Sequence, residues 1–170
     1  MFDSAVLGVD PGLARTGLAV VARVDRRPVL LWADTVFTPT GMPEADRLRA
    51  IAEAVRAAIA DHRPESVALE RVMFGSNRTS ALSVARATGA IMVVAAEAGL
   101  AVEEYVPLEV KNAITGYGTA AKDQVHSALV RVHGLKDVPT QPDAADAVAV
   151  ALCHLTRSRL TKVAARSVGR

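Results

Sequence analysis

The first 38 residues contain three β-rich stretches whose connections are too short to hold a helix. These stretches are Ser4–Asp10, Thr16–Asp25 and Arg27–Thr38, and they are joined by "PGLAR" and "DRR". Strands joined by so few residues pair antiparallel, because a parallel pair needs a crossover of about a dozen residues or more. The chain is therefore predicted to begin as an antiparallel meander, against which every later segment must pack.

Helices and strands alternate in the rest of the chain. Apolar residues recur at helical spacing in "MPEADRLRAIAEAVRAAIADHRP", and Pro64 ends that pattern. The later predicted segments are the strand "SVALERV", a helix at about 80–98, the strand "LAVEEYVP", helices at about 108–115 and 120–132, and a final helix from about 143 to 157. This order predicts an α/β fold with a five-stranded mixed sheet flanked by helices.

Length and composition favour one ordinary domain. Of the 170 residues, 51% are apolar and 22% charged, and we expect a single domain over 1–157 with a basic, flexible tail over 158–170. The single cysteine, Cys153, excludes an internal disulfide and a cysteine-based zinc cluster. No apolar run reaches the roughly 18 residues of a membrane span, and the N-terminus lacks the basic segment of a secretory signal. We therefore expect a cytoplasmic protein with no membrane partner.

Positive charge is unevenly distributed, although the net charge is only +2. The segment from Leu155 to Arg170 holds five basic residues and no acid, and the stretch between Glu70 and Glu97 holds three arginines and no acid. A basic tail and a basic patch on a slightly acidic body suit a polyanionic partner such as nucleic acid. Basic tails are also common solubilising ends, so charge alone leaves both interpretations open.

Four acidic residues are placed where they could meet. Asp10 ends the first strand, Glu70 lies in "VALERV", and Asp143 and Asp146 are three residues apart, on one face of the final helix. If the first and fourth strands are parallel neighbours, Asp10 and Glu70 lie about 5 Å apart and stay ionised only beside a cation. The four acids predict an oxygen-only site for Mg²⁺ or Mn²⁺, where two ions ~4 Å apart can support phosphodiester hydrolysis.

Each acid also has a simpler structural interpretation. Asp10 precedes Pro-Gly and could hydrogen-bond its own turn. Asp143 follows Pro142 and would cap a helix, and Asp146 would suit the helix dipole. Glu70 is harder to explain in this way, because an unpaired acid in a buried strand is costly. Together the four acids favour the metal site.

Four motifs of the chain resemble those of a known family. The segments "GVDPGLARTG", "ALERVMFGSNRTSALSVARATG", "VKNAITGYGTAAKDQV" and "DAADAVAVALCH" resemble, in order and spacing, the RuvC family of Holliday junction resolvases. The resemblance extends from Val6 to His154. It implies a ribonuclease H-like fold and an endonuclease that nicks two strands of like polarity in a four-way DNA junction, in recombination and repair.

The resemblance also assigns roles to the acids and to two lysines. It makes four residues the catalytic metal ligands, for two Mg²⁺ or Mn²⁺ ions per site: Asp10, Glu70, Asp143 and Asp146. Lys111 of "VKNAI" and Lys122 of "AAKDQV" match family lysines near the scissile phosphate and the DNA backbone, and Lys122 is counted among the catalytic residues. Helix-face lysines are more often simply solvated, but each of these is the only lysine of its segment.

The loop after Glu70 departs from the family pattern. The family has an aromatic residue three positions after the catalytic glutamate, where it stacks on a base at the junction centre. This chain has Met73 at that position and Phe74 next. Either side chain could contact the bases, or Phe74 could fold back into the core. Asn77 and Arg78 are expected to contact the DNA backbone.

The resemblance further implies partners. The helix Ser80–Ala98 is apolar on more sides than a surface helix needs, so it is either fully buried or, as the resemblance implies, the interface of a homodimer. Four-way junction DNA is the implied substrate, and the branch-migration proteins RuvA and RuvB are the implied protein partners.

Three other functions share some of these sequence features. The actin-like sugar kinases share the strand-Asp-x-Gly start, but they need a second phosphate loop and about twice the length. A RuvC-like nuclease acting on structured RNA would share the first and last acids without the "VKNAITGYGTAAKDQV" segment. A non-catalytic junction-binding protein would use the acids only as caps.

Overall fold

The computed structural model describes the backbone of residues 4–71 and 78–168, and the side chains of residues 4–71 and 81–157. The strands in chain order are β1 (Ser4–Asp10), β2 (Arg15–Val24), β3 (Arg27–Phe37), β4 (Ser66–Glu70) and β5 (Ala101–Tyr105). The helices in chain order are α1 (Glu44–His62), α2 (Arg78–Glu97), α3 (Pro107–Thr115), α4 (Lys122–Arg131) and α5 (Pro142–Val168).

The described strands form one mixed sheet in the order β3-β2-β1-β4-β5. β1, β2 and β3 pair antiparallel, and β4 and β5 are added parallel to β1. The predicted meander and the predicted five-stranded mixed sheet are therefore both confirmed. The short apolar strands β1 and β4 are neighbours, and the interior of each is fully buried.

Helices cover both faces of the sheet. On one face the core is formed with α3, α4 and α5, and on the other with α1 and α2. Alternate residues of each strand feed the two cores, because successive side chains of a strand point to opposite faces. Val6 of β1, for example, packs on the α5 side, whereas Leu7 packs on the α1 and α2 side.

Helix α5 lies directly on the sheet backbone. A Cβ added to Gly8 of β1 would overlap the carbonyl oxygen of Ala147, and one added to Gly17 of β2 would overlap that of Asp143. Both strands therefore need glycine where α5 crosses them. The contact at Gly17 fixes the first turn of α5 beside the end of β1, since Asp10 pairs with Gly17.

Helix α5 is longer than predicted. The sequence suggested an end at about Arg157, whereas the helical backbone continues to Val168. The physical reason is that residues 158–168 contain no proline or glycine to stop a helix. Among the described residues, no helix is long and apolar enough to cross a membrane.

Candidate active site

The strand register brings Asp10 and Glu70 together at one end of the sheet. Val9 pairs with Leu69 in the parallel ladder, so the next residues, Asp10 and Glu70, are neighbours on adjacent strands. The residues two positions earlier on each strand face α5, and side chains alternate along a strand, so both carboxylates also face α5. The strand register therefore places these two acids side by side.

The first turn of α5 adds the other two acids. Its backbone at Asp143 rests against Gly17, the residue paired with Asp10. Asp143 and Asp146 are three residues apart and lie on one side of the helix, both half-buried. The charges of both act on Asp10. The structure therefore places the other three predicted acids close enough to Asp10 for their charges to act on it.

Crowding of negative charge changes the titration of Asp10. Burial is the largest cause that raises the pKa of Asp10, and repulsion from Glu70 and Asp146 contributes next. Together these effects bring the pKa to about 8. Burial also raises the pKa of Glu70, while a hydrogen bond with Asp10 opposes that rise. Asp10 is therefore the acid that holds a proton in the neutral pH range, in a hydrogen bond with Glu70.

Two lysines supply positive charge to this cluster. Lys122 is the first residue of α4, and its Nζ donates a hydrogen bond to Oδ2 of Asp146 at 2.6 Å. This contact raises the pKa of Lys122. The charges of Lys122 and of Lys111, which lies on α3, oppose the rise that burial causes in the pKa of Glu70. The structure thus places both predicted lysines beside the acids.

The donor set suits a hard divalent cation. Its members are carboxylates, which Mg²⁺ and Mn²⁺ prefer, and burial together with repulsion from neighbouring acids raises the pKa values of Asp10 and Glu70. Among the described residues, no three acid, histidine or cysteine side chains are grouped as ligands of one ion. Instead Asp10 bonds Glu70, and Lys122 holds Asp146. The arrangement has the chemistry of a metal site, with its carboxylates engaged by protein partners.

Comparison with known proteins decides the family. The model of the family described as "Crossover junction endodeoxyribonuclease RuvC" matches residues 6–154. The chain belongs to the RuvC family. A crossover junction endodeoxyribonuclease RuvC from Leifsonia xyli is 44% identical over 156 residues, which are 91% of this chain and 75% of that protein. The resemblance seen in the sequence is confirmed.

Solved structures agree with this family assignment. RuvC of T. thermophilus, solved in complex with a Holliday junction substrate, has a TM-score of 0.86 and 37% identity, covering 93% of this chain and 96% of that one. A yeast mitochondrial Holliday junction resolvase has a TM-score of 0.66 at 11% identity and shares the fold alone. The ribonuclease H-like fold that the RuvC resemblance implied is confirmed.

Some residues expected to contact DNA cannot be placed. Met73, Phe74 and Asn77 lie outside the described residues, and only the backbone of Arg78, the first residue of α2, is described. The roles that the RuvC pattern gives to these four residues therefore stay predictions.

The contacts that anchor α5 to β4, β5 and α3 were not predicted from the sequence. The Tyr105 hydroxyl bonds Nδ1 of His154 at 2.9 Å, and Nε2 of His154 lies 3.2 Å from Oγ of Ser66. Arg157 donates to Glu109 at 2.6 Å and lies over the Tyr105 ring. Each contact joins residues far apart in sequence, so no local pattern signals it. The anchor holds α5, and with it the acids that the RuvC pattern assigns to metal binding.

Proposed function

We propose that this protein is a metal-dependent endonuclease that resolves Holliday junctions by paired, symmetrical nicks in strands of like polarity. The observation that supports this most directly is the meeting of Asp10, Glu70 and the first turn of α5 at one sheet end, in a chain that matches the RuvC family over residues 6–154. RuvC of T. thermophilus forms a complex with a Holliday junction substrate. Its high structural similarity supports junction DNA as the substrate here.

The acids are proposed to hold the metal. RuvC enzymes are metal-dependent nucleases, and two Mg²⁺ or Mn²⁺ ions would be held by these residues: Asp10, Glu70, Asp143 and Asp146. When bound, such ions supply a Lewis acid for the phosphate and lower the pKa of water. A proton held by Asp10 toward Glu70 would have to leave before these carboxylates could hold a cation.

Lys122 is proposed to act on the reacting phosphate. Its side chain is 73% exposed, so the ammonium group can reach a DNA strand lying along the cluster while Asp146, 27% exposed, stays behind it. Transfer of the Lys122 contact from Asp146 to a phosphate oxygen would free that carboxylate for a cation. The positive charge would also stabilise the negative charge that develops on the phosphate. Lys111, half-buried on α3, is proposed to contact the DNA backbone.

The chemistry is proposed to be hydrolysis by in-line attack of water on phosphorus. The bond between phosphorus and the 3′ oxygen breaks, and that oxygen leaves with a proton. The products are a 5′-phosphate and a 3′-hydroxyl. The protein's part is to position the phosphate between the acids and Lys122 and to balance charge there.

Paired nicks require two sites, and α2 offers a surface for a second copy. On its outward side Leu82 is 52% exposed and Val93 is 56% exposed, while Ala87 and Ile91 are buried against the sheet. The helix is thus not fully buried, and this exposure excludes the interpretation of α2 as a fully buried helix. We assign this outward apolar side to a homodimer interface, because large apolar side chains gathered on one helix face favour protein contacts.

Further assignments follow the family pattern. Met73 or Phe74 is proposed to contact bases at the junction centre, and Asn77 and Arg78 the DNA backbone. Residues 1–157 are proposed to form the nuclease domain, followed by the basic tail at 158–170. RuvA and RuvB are the proposed protein partners, and the cytoplasm is the proposed compartment.

The decisive experiment uses a synthetic four-way junction with each divalent metal in turn. The wild type is expected to cut two opposed strands symmetrically in Mg²⁺ or Mn²⁺. Glu70→Gln and Asp146→Asn are expected to bind the junction as well as the wild type and to cut at least about a hundredfold more slowly. Glu65→Gln, an acid outside the cluster, is the control and should cut normally. Undiminished cleavage by either cluster variant would refute the metal-site assignment.

The same assay separates the alternative functions. Binding without cleavage in every metal would favour a junction-binding protein that is not a nuclease. Preferential cleavage of a structured RNA over the DNA junction would favour the RNA nuclease. Cleavage of linear duplex at an equal rate would indicate a nuclease without junction specificity.

A further inference from the structure

Strands β2 and β3 continue past the row of Asp10 and carry a second pair of side chains on the same face. Arg15 pairs with Phe37, two residues beyond the pairing of Gly17 with Thr35. Because side chains alternate along a strand, Arg15 and Phe37 face the same way as Gly17, toward the α5 side that holds the acids. Two strand residues span about 7 Å, so the distance from this pair to the carboxylates is about the length of one or two nucleotides of a DNA strand.

The two side chains form a ledge open to solvent, here called the Arg15–Phe37 ledge. The Phe37 side chain is 60% exposed, and the Arg15 guanidinium carbon lies 5.6 Å from its ring centroid. Across the ranges that the structure describes, Arg15 forms no ion pair, whereas Arg86 and Arg157 each pair with a glutamate within 2.8 Å. The ledge therefore presents an aromatic ring and a positive charge not balanced by an acid.

A buried hydrogen-bond network holds the backbone under the ledge. Arg47, only 9% exposed, donates from Nε to the Thr38 hydroxyl at 2.9 Å and from Nη2 to the Thr38 carbonyl at 3.2 Å. The Thr38 hydroxyl donates to the Leu13 carbonyl, and the Thr38 amide donates to the Ala14 carbonyl at 3.1 Å. This network ties the loop before Arg15 to the residue after Phe37. The ledge is thus fixed in position before any ligand arrives.

We propose that the Arg15–Phe37 ledge receives the DNA strand beside the scissile phosphate, with Phe37 stacking on a base or sugar and Arg15 pairing with a neighbouring phosphate. This inference rests on the proposed function, because its occupant is the strand being cut. An aromatic face beside a cation is the combination that binds single nucleotides without hydrogen-bond readout. The ledge is continuous with four acids that repel a polyanion, so a flanking cation is needed to hold the strand there.

The first test compares Phe37→Ala with Phe37→Trp in single-turnover cleavage of a four-way junction at saturating protein. Loss of the ring is expected to slow cleavage between about fivefold and a hundredfold, while tryptophan stays within about threefold of the wild type. Val132→Ala, at an exposed residue directly after α4, is the control and should cut normally. Wild-type rates in Phe37→Ala, or equal losses in Phe37→Trp and Phe37→Ala, would overturn the stacking role.

The second test measures junction affinity against salt in the Asp146→Asn background. Arg15→Gln is expected to reduce the slope of log affinity against log salt by about one, as loss of one phosphate contact predicts. Arg27→Gln, at the other end of the same hairpin, should leave the slope unchanged. An unchanged slope in Arg15→Gln would overturn the phosphate role.

The proposed function and the role of the Arg15–Phe37 ledge can be refuted separately. A wild type that cuts no junction contradicts the proposed function itself. A wild type that cuts while the Phe37 and Arg15 variants match it contradicts only the ledge.

Discussion

Asp10 is the residue whose chemistry depends most on its neighbours. Burial and three nearby acids raise its pKa to about 8. In the unfolded chain an aspartate ionises near pH 4. Between about pH 4 and about pH 8 the folded protein therefore holds a proton that the unfolded chain has released. The free energy of unfolding of the metal-free protein must fall as the pH rises through that range.

Asp10→Asn is predicted to stabilise the metal-free protein at alkaline pH. Asparagine keeps the shape and the hydrogen bond toward Glu70 but carries no charge. At pH 8 the variant's free energy of unfolding is expected to exceed that of the wild type by about 2 kcal/mol, and the difference should shrink toward pH 4. Urea denaturation in EDTA at several pH values measures it.

The control for this prediction is Asp25→Asn, at an exposed turn residue with φ 48°, a conformation that asparagine tolerates. It should change the free energy of unfolding by less than about 0.5 kcal/mol at every pH. Added Mg²⁺ should stabilise the wild type most at high pH and should stabilise Asp10→Asn much less. Wild-type stability that rises from pH 5 to pH 8 in EDTA would contradict the raised pKa of Asp10.

At the residue scale, the sequence predicted the acids better than their partners. Asp10 and Glu70 could be predicted as site residues because each is an acid in an otherwise apolar strand. Packing of the hydrophobic core alone does not explain an acid at such a position. The ion pair of Lys122 with Asp146 could not be predicted from the sequence, because it joins two helices whose relative position depends on tertiary packing. Phe37 was also missed, since the face on which a strand residue lies is known only once the strand register is known.

At the scale of elements, the position of α5 depends on backbone contact with β1 and β2. Gly8→Ala is predicted to lower the free energy of unfolding by about 3 kcal/mol, because the new Cβ would overlap the Ala147 carbonyl and lie 2.7 Å from the Ala151 Cβ. Neither partner is a flexible side-chain end, so the helix itself must shift. Denaturant midpoints measure the loss, and slower junction cleavage by the folded fraction would report displaced acids.

The control for Gly8→Ala is Gly41→Ala, where nothing lies within 4 Å of an added Cβ. It should keep the wild-type midpoint to within about 1 kcal/mol. A Gly8→Ala protein as stable as Gly41→Ala would show that α5 can move away from the sheet at little cost.

Element types and order could be predicted because the local signals agreed. β1 was predicted at its observed bounds, and the helices before β4 and β5 were predicted to within about two residues. The end of α5 could not be predicted in the same way, because residues 158–168 give no stop signal and a helix end without one depends on context. The anchoring of α5 by Tyr105 and His154 likewise depends on tertiary contact.

In the whole molecule, the acid cluster and the proposed dimer surface lie on opposite faces of one sheet. The acids lie on the α5 face, and α1 and α2 cover the other. Helix α2 packs Ala87 and Ile91 inward and leaves Leu82 and Val93 outward. Its outward side can therefore join a second copy while each copy keeps its acids accessible. Symmetrical nicking requires two such sites that are joined in one assembly and are both accessible to DNA.

Val93→Glu is accordingly predicted to dissociate the proposed homodimer. In a two-fold interface the same patch of each copy takes part, so the substitution buries two like charges near each other. The dissociation constant should rise by at least about tenfold, as measured by sedimentation equilibrium, and junction cleavage should change from paired to single nicks. Val132→Glu, at a more exposed valine directly after α4, should leave both measurements unchanged. A wild type that sediments as a monomer, or a Val93→Glu protein that stays dimeric, would remove α2 from the interface.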